Sequence, residues 1–171
     1  MLPAPRTPGD YRIALVCLGN ICRSPMADVI LKHHLDVAGL AGRVTVESAG
    51  TGDWHVGNPM DTRAAASLAG EGYDPSAHRA RQFTASRAPA YDLVLAMDRS
   101  NLETLSELGV PADRLRLFRD FDPVPEGGEV PDPYYGGDDG FAEVLAMVER
   151  TAAGLVQALQ RQPELVGGRT R

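Results

Sequence analysis

The chain has 171 residues, 43% of them apolar, enough for one domain with a substantial core. No stretch reaches the roughly 18–20 apolar residues of a membrane-spanning helix. Its net charge is -6, with 23 acidic against 17 basic residues, and the basic ones are scattered, densest at Arg79, Arg81 and Arg87. That balance argues against nucleic acid as a partner.

Residues 1–10 read as a Pro-rich, flexible N-terminal tail. They lack the apolar centre of a signal peptide, so the expected location is cytoplasmic, export without a signal peptide aside. Residues 13–18 form a nearly continuous apolar run, the pattern of a strand buried on both faces. Ser24-Pro25 then supplies an N-cap and a proline for the first helical position. Met26, Val29, Ile30, His33 and Val37 follow at helical spacing, and Gly39 closes the helix.

Residues 44–48 read as a second strand and 50–59 as a loop. Residues 61–68 are helical, and 91–97 make a third strand. Asp98 caps a helix over 99–108, and 115–118 form a short fourth strand. A loop rich in Pro, Gly and Asp fills 120–139. A long amphipathic helix covers 141–159, with Val144, Leu145, Val148, Ala152, Leu155, Val156 and Leu159 as its apolar stripe. Residues 161–171 read as a frayed tail, leaving 11–160 as a single domain. Strands alternating with helices of this length predict an α/β layer fold with a mostly parallel sheet. In such a sheet ligands bind beyond the carboxyl ends of the strands, where the first strand delivers Cys17.

Between that strand and the helix lie Cys17-Leu18-Gly19-Asn20-Ile21-Cys22-Arg23-Ser24. Gly19 relieves crowding, and Asn20 tolerates left-handed backbone angles. Successive N–H groups can then point inward, with the positive end of the helix aimed at the same spot. A nest of this kind, spanning Leu18, Gly19, Asn20, Ile21 and Cys22, binds a tetrahedral oxyanion. It also favours the thiolate of Cys17, which can attack phosphorus. Arg23 can grip two non-bridging oxygens at once, which lysine cannot. Taken singly, Cys17 reads as a core thiol and Arg23 as a surface arginine. Together with the turn and the cap they read as a site.

Other phosphate loops fit badly. The chain has no G-x-x-x-x-G-K-[ST], no G-x-G-x-x-G after the first strand, and no C-x-x-C for redox work. Two cysteines in one short segment make neither a disulfide framework nor a zinc site, which wants about four ligands. No metal and no cofactor are expected. Attack on an aryl phosphate also needs a proton donor for the departing phenolate. Asp132, stiffened by Pro131 and Pro133, is a candidate, but composition alone does not separate it from Asp120, Asp122, Asp138 or Asp139.

Residues 17–24 resemble the C-x5-R-[ST] signature of the low-molecular-weight protein-tyrosine phosphatases. The similarity continues in Ser48-Ala49-Gly50-Thr51 with Trp54 and Gly57, in His78-Arg79-Ala80-Arg81, in residues 97–102, and in Asp132-Pro133-Tyr134-Tyr135-Gly136. The resemblance implies a three-layer, Rossmann-like α/β fold with a central four-stranded parallel sheet flanked by helices. It implies hydrolysis of phosphotyrosine and small aryl phosphates through a cysteinyl-phosphate intermediate. Cys17 is then the nucleophile, Arg23 the phosphate clamp, and Asp132 the acid and afterwards the base. Ser24 donates to the Cys17 sulfur. Trp54 and Tyr134 wall the pocket with Tyr135 nearby, while Thr51, Gly52 and His55 shape its rim. Ser48 and His78 hold the side chain of Asn20, Asp98 contributes secondarily to the site, and Cys22 traps oxidised Cys17 as a disulfide.

The partners so implied are phosphotyrosine-containing proteins or peptides and small aryl phosphates, with no nucleic acid or membrane, bound by a monomer or weak homo-oligomer. Tyr134 and Tyr135 are themselves candidates for phosphorylation. The rival readings are an arsenate reductase of the same fold and a phosphotyrosine-binding module without turnover.

Overall fold

The computed structural model describes residues 1–124 and 128–166. Four strands form one parallel sheet: β1 (Tyr11–Cys17), β2 (Val44–Gly50), β3 (Leu93–Ala96) and β4 (Leu115–Leu117), in the order β2-β1-β3-β4. Helices α1 (Arg23–Val37), α2 (Thr62–Gly70), α3 (Arg99–Glu107), α4 (Asp138–Gln160) and the four-residue α5 (Pro163–Val166) complete the chain, with short 3₁₀ turns before β3 and on either side of β4.

The alternation of β1 divides the core. Tyr11, Ile13, Leu15 and Cys17 face one layer with the apolar sides of α1, α2 and α4, whereas Ala14 and Val16 face the other with Leu105 of α3. A central strand covered on both faces has no polar alternation to show, which is why its sequence is nearly all apolar. The predicted stripe of α4 is buried throughout. On α1 the buried face is Met26, Ala27, Ile30, Leu31 and Leu35, while Val37, expected in the stripe, is 77% exposed.

The start of α1 also differs from expectation. Its N-cap is Cys22, with no side-chain cap bond, and Ser24 and Pro25 lie in the first helical turn. Proline is tolerated there because first-turn N–H groups have no intrahelical partner. The Ser24 hydroxyl is free for other work.

Both ends of the described residues are docked. Leu2 is buried, the Tyr11 hydroxyl donates to Pro3 O, and the Gln162 amide reaches Leu2 O and Pro3 O. Buried Asp92 accepts from the Arg6 and Arg12 N–H groups, both at 2.7 Å. The expected flexible tail is therefore corrected over residues 2–6: an apolar side chain and a buried carboxylate in need of donors fix it. At the other end Leu165 is fully buried and Arg43 donates to its carbonyl, so the chain is anchored there as well. Residues 167–171 and 125–127 lie outside the described residues. No helix among the described residues is long and apolar enough to cross a membrane.

Candidate active site

Strand β1 ends at Cys17 and α1 begins at Arg23, so five residues must turn the chain through a tight loop. Asn20 takes φ +58°, the left-handed region that costs a non-glycine residue roughly 1–2 kcal/mol. Its side chain, fully buried, is bound on every side. The amide nitrogen donates to Ser24 Oγ at 2.9 Å and Ser48 Oγ at 3.1 Å, and the amide oxygen accepts from the Arg81 N–H at 2.9 Å. The last strand residue of β2 also approaches closely: a Cβ on Gly50 would sit 2.8 Å from Leu18 O. The loop is thus held from β2 and from the segment around residue 80. Among the described residues, no protein group accepts from the N–H groups of Leu18, Gly19, Ile21, Cys22 or Arg23.

Cys17 lies at the floor of this loop, 2% exposed. Its sulfur is 2.9 Å from Ser24 Oγ and accepts from the Asn20 N–H at 3.3 Å. Because Asn20 donates to the same Ser24 oxygen, the serine proton is directed to the sulfur or to Ala49 O, 3.3 Å away.

Arg23 is also buried. One terminal nitrogen donates to Asp98 Oδ2 at 2.6 Å and to Val130 O at 3.1 Å; the other meets Asp132 Oδ2 at 3.5 Å. Burial works against its charge, but Cys17, Asp98 and Asp132 outweigh it and hold the guanidinium above its ordinary value. Asp98 serves two masters: its other oxygen caps α3 by accepting from the Asn101 N–H at 2.7 Å.

These groups surround one cavity of about 300 Å³. Leu18, Gly19, Asn20, Ile21 and Cys22 line its floor with Cys17 and Arg23, and Trp54, His55, Asp132, Tyr134 and Tyr135 line its walls. Trp54 folds over Gly52, where any Cβ would overlap its ring, so Gly52 acts beneath the wall and Thr51 is not part of the lining. Tyr134 and Tyr135 meet edge to face with centroids 4.9 Å apart. Of the five candidate aspartates, Asp132 is the one at the cavity. Asp122 is ion-paired with Arg119 and Arg150, Asp120 with Arg116, and Asp138 and Asp139 begin α4. No group of three or more His, Cys, Asp or Glu among the described residues is placed to hold a metal ion.

A thiol, a buried arginine and a nest of free N–H groups thus stand in one C-x5-R turn, with an Asp-Pro loop at the same cavity. Residues 12–165 match the family model of the low molecular weight phosphotyrosine protein phosphatases. The chain belongs to this family. A low molecular weight protein-tyrosine-phosphatase of Streptomyces coelicolor is 48% identical over 160 residues, covering 90% of this chain and 96% of the relative. Low molecular weight protein-tyrosine phosphatase A of Mycobacterium tuberculosis is 46% identical over 145 residues, covering 84% and 88%. The crystal structure of YfkJ from Bacillus subtilis superposes with a TM-score of 0.84 at 32% identity, covering 90% of this chain and 98% of that one.

Against what the family resemblance implied, His78 does not hold the Asn20 side chain. Its Nε2 lies 2.7 Å from the backbone oxygen of Asn20, so the imidazole donates to the main chain, and the Arg81 N–H takes the side-chain oxygen. Ser48 bonds the Asn20 amide as expected. Burial, with Arg81, Arg79 and Lys32, holds His78 below its ordinary value despite the bond to Asn20 O. Burial, with Asp61, Cys17 and Asp132, pushes the Cys22 thiol up to about 12. Sequence reading gave no role to Val130, to Ala49 or to the backbone of Arg81. Each acts through a main-chain atom, which leaves no residue-type signal.

Proposed function

We propose that this chain is a metal-independent protein-tyrosine phosphatase acting on phosphotyrosine-containing proteins or peptides and on small aryl phosphates. The observation that carries this reading is the convergence of Cys17, Arg23 and Asp132 on one cavity with aromatic walls. Its depth suits a phosphate at the end of a phenyl ring. A phosphoserine would hold its phosphate too close to the peptide backbone to reach the sulfur.

In the first step Cys17 Sγ attacks phosphorus in line, forming the S–P bond as the P–O bond to the aryl group breaks. The free N–H groups of the loop and Arg23 take the equatorial oxygens, where charge builds. Asp132 gives its proton to the departing phenolate. In the second step Asp132 takes a proton from water, the water oxygen bonds phosphorus, and the S–P bond breaks. Inorganic phosphate leaves and the sulfur departs as thiolate, stabilised by Ser24 and the Asn20 N–H. Asp98 keeps Arg23 aligned throughout. On oxidation by a peroxide, Cys17 becomes a sulfenic acid that Cys22 displaces, releasing water and forming a disulfide.

The reading includes a monomer or weak homo-oligomer working in the cytoplasm. The test is phosphate release, without added metal, from matched phosphotyrosine and phosphoserine peptides, alongside thiol consumption with arsenate. The expected result is release from phosphotyrosine alone. Arsenate-dependent thiol consumption without phosphate release would instead favour an arsenate reductase, and tight peptide binding without release a non-catalytic module.

A further inference from the structure

The loop that carries Asp132 is secured differently at its two ends. Before the aspartate, Val130 is fully buried; its N–H donates to Met97 O at 2.7 Å and its carbonyl accepts from Arg23. Arg119 adds a 2.9 Å bond to Glu129 O. After the aspartate, residues 134–136 are exposed. Among the described residues, two local bonds, from the Tyr134 N–H to Asp132 Oδ1 and from the Gly140 N–H to Gly137 O, hold residues 133–137 to their neighbours, and the hydrogen bonds that reach them from distant parts of the chain come from one side chain, Arg63. Its guanidinium donates to Tyr134 O at 2.8 Å and Gly136 O at 3.2 Å and lies over the Phe141 ring, 4.8 Å from its centroid.

Arg63 is itself fixed. Asp61 caps α2 and accepts from both the backbone and the guanidinium of Arg63, with Oδ1 to the Arg63 N–H at 2.9 Å and Oδ2 to Nη2 at 3.3 Å. The Asp61 N–H in turn donates to Ile21 O at 2.9 Å, inside the phosphate-binding loop. An unbroken bonded path therefore runs from Ile21 through Asp61 and Arg63 to Tyr134 and Gly136. Arginine suits this task because its planar fork can satisfy two carbonyls and a carboxylate at once; lysine's point charge cannot.

We propose that Arg63 is a positioning residue, a brace that sets the far end of the acid loop, and so Asp132 and Tyr134, at a fixed distance from the phosphate-binding loop. The proposal rests on the phosphatase reading above. Arg63 touches neither the cavity floor nor the reacting atoms. Its loss should leave phosphate binding and thiolate attack intact while spoiling proton delivery to the leaving group.

The experiment is kcat/KM for a series of aryl phosphates of rising leaving-group basicity, in wild type, Arg63→Ala, Asp132→Ala and the double variant. Inhibition by inorganic phosphate is measured in each. Arg63→Ala should lose about 10- to 100-fold with phosphotyrosine, the scale of a small misplacement at a reacting centre. It should lose only a few-fold with a dinitrophenyl phosphate, whose leaving group needs no proton. Phosphate inhibition should stay within about 2-fold, Arg63→Lys should recover part of the loss, and Arg63→Ala should cost nothing further on top of Asp132→Ala. Hydrogen exchange should rise in residues 134–137 and stay unchanged in 18–22, which separates a loosened loop from a misfolded protein. A loss equal for all leaving groups, or one that persists in the Asp132→Ala background, would overturn the role of Arg63 while leaving the phosphatase reading in place. A wild type inert on every aryl phosphate would overturn both.

Discussion

The phosphate-binding loop and the acid loop face each other across one cavity and are built on opposite plans. The first is mostly buried and braced through its side chains, with its N–H groups left free for a ligand. Asn20, Arg23 and Ser24 are each at most 3% exposed, and the strained angle at Asn20 is held from three segments. In the second the Asp132 side chain is 34% exposed, its bond to Arg23 is long at 3.5 Å, and its far end hangs on Arg63. The difference follows the chemistry. An oxyanion nest works only if its donors are already aimed, because reorganising dipoles during reaction costs the stabilisation they provide. A proton donor must let a bulky aryl group in and out, so exposed, adjustable contacts serve it better.

The largest effects should come from striking the two loops separately. Arg23→Lys removes the fork and should lower kcat/KM by about 10³-fold for every leaving group, since the phosphoryl oxygens are the same in all. Asp132→Ala should cost a similar factor with phosphotyrosine and far less with an activated aryl phosphate. Steady-state rates across one substrate series check both, and a flat profile for Asp132→Ala would remove the acid assignment.

Stability should show the same asymmetry. Asn20→Ala strands the Ser48 hydroxyl and the Arg81 N–H and leaves a left-handed alanine, so it should destabilise the protein by about 2–4 kcal/mol in urea unfolding. Asp132→Ala, removing a partly exposed carboxylate, should change stability little. Equal losses would mean that the two loops are not differently built.

The smallest expected effect is on pH dependence. The folded chain binds a proton at His78 less readily than the unfolded chain does. The contribution of His78 is therefore intact above the ordinary histidine value of about 6.5 and is lost as pH falls through the lower folded value. The urea midpoint of wild type should drop between pH 7.5 and pH 5 by more than that of His78→Gln. Parallel profiles would remove His78 from the bracing of the loop.

Legibility in the sequence followed the same division. The phosphate-binding loop is contiguous, and its Cys, Gly, Asn, Arg and Ser are chosen for side-chain chemistry, so turn, thiol and clamp could be read directly. All four strands were also legible: β1 and β3 are nearly unbroken apolar runs, and the edge strands β2 and β4 alternate apolar with polar residues. Ser24 misled as an N-cap because its hydroxyl is claimed by the Cys17 sulfur and the Asn20 amide, a competition visible only in three dimensions. His78 was drawn to the right residue but the wrong atom. Arg63 was illegible, since its partners are two carbonyls more than 70 positions away. The docked N-terminus was hidden for a similar reason, with Leu2 and Arg6 meeting groups far along the chain.

The most direct measurement is intact-protein mass spectrometry after rapid acid quench of the enzyme turning over an activated aryl phosphate. The adduct should be one phosphoryl group on Cys17, absent in Cys17→Ser and enriched in Asp132→Ala, where hydrolysis lacks its base. Steady phosphate release with no such adduct, or an adduct mapped to any other residue, would contradict the account.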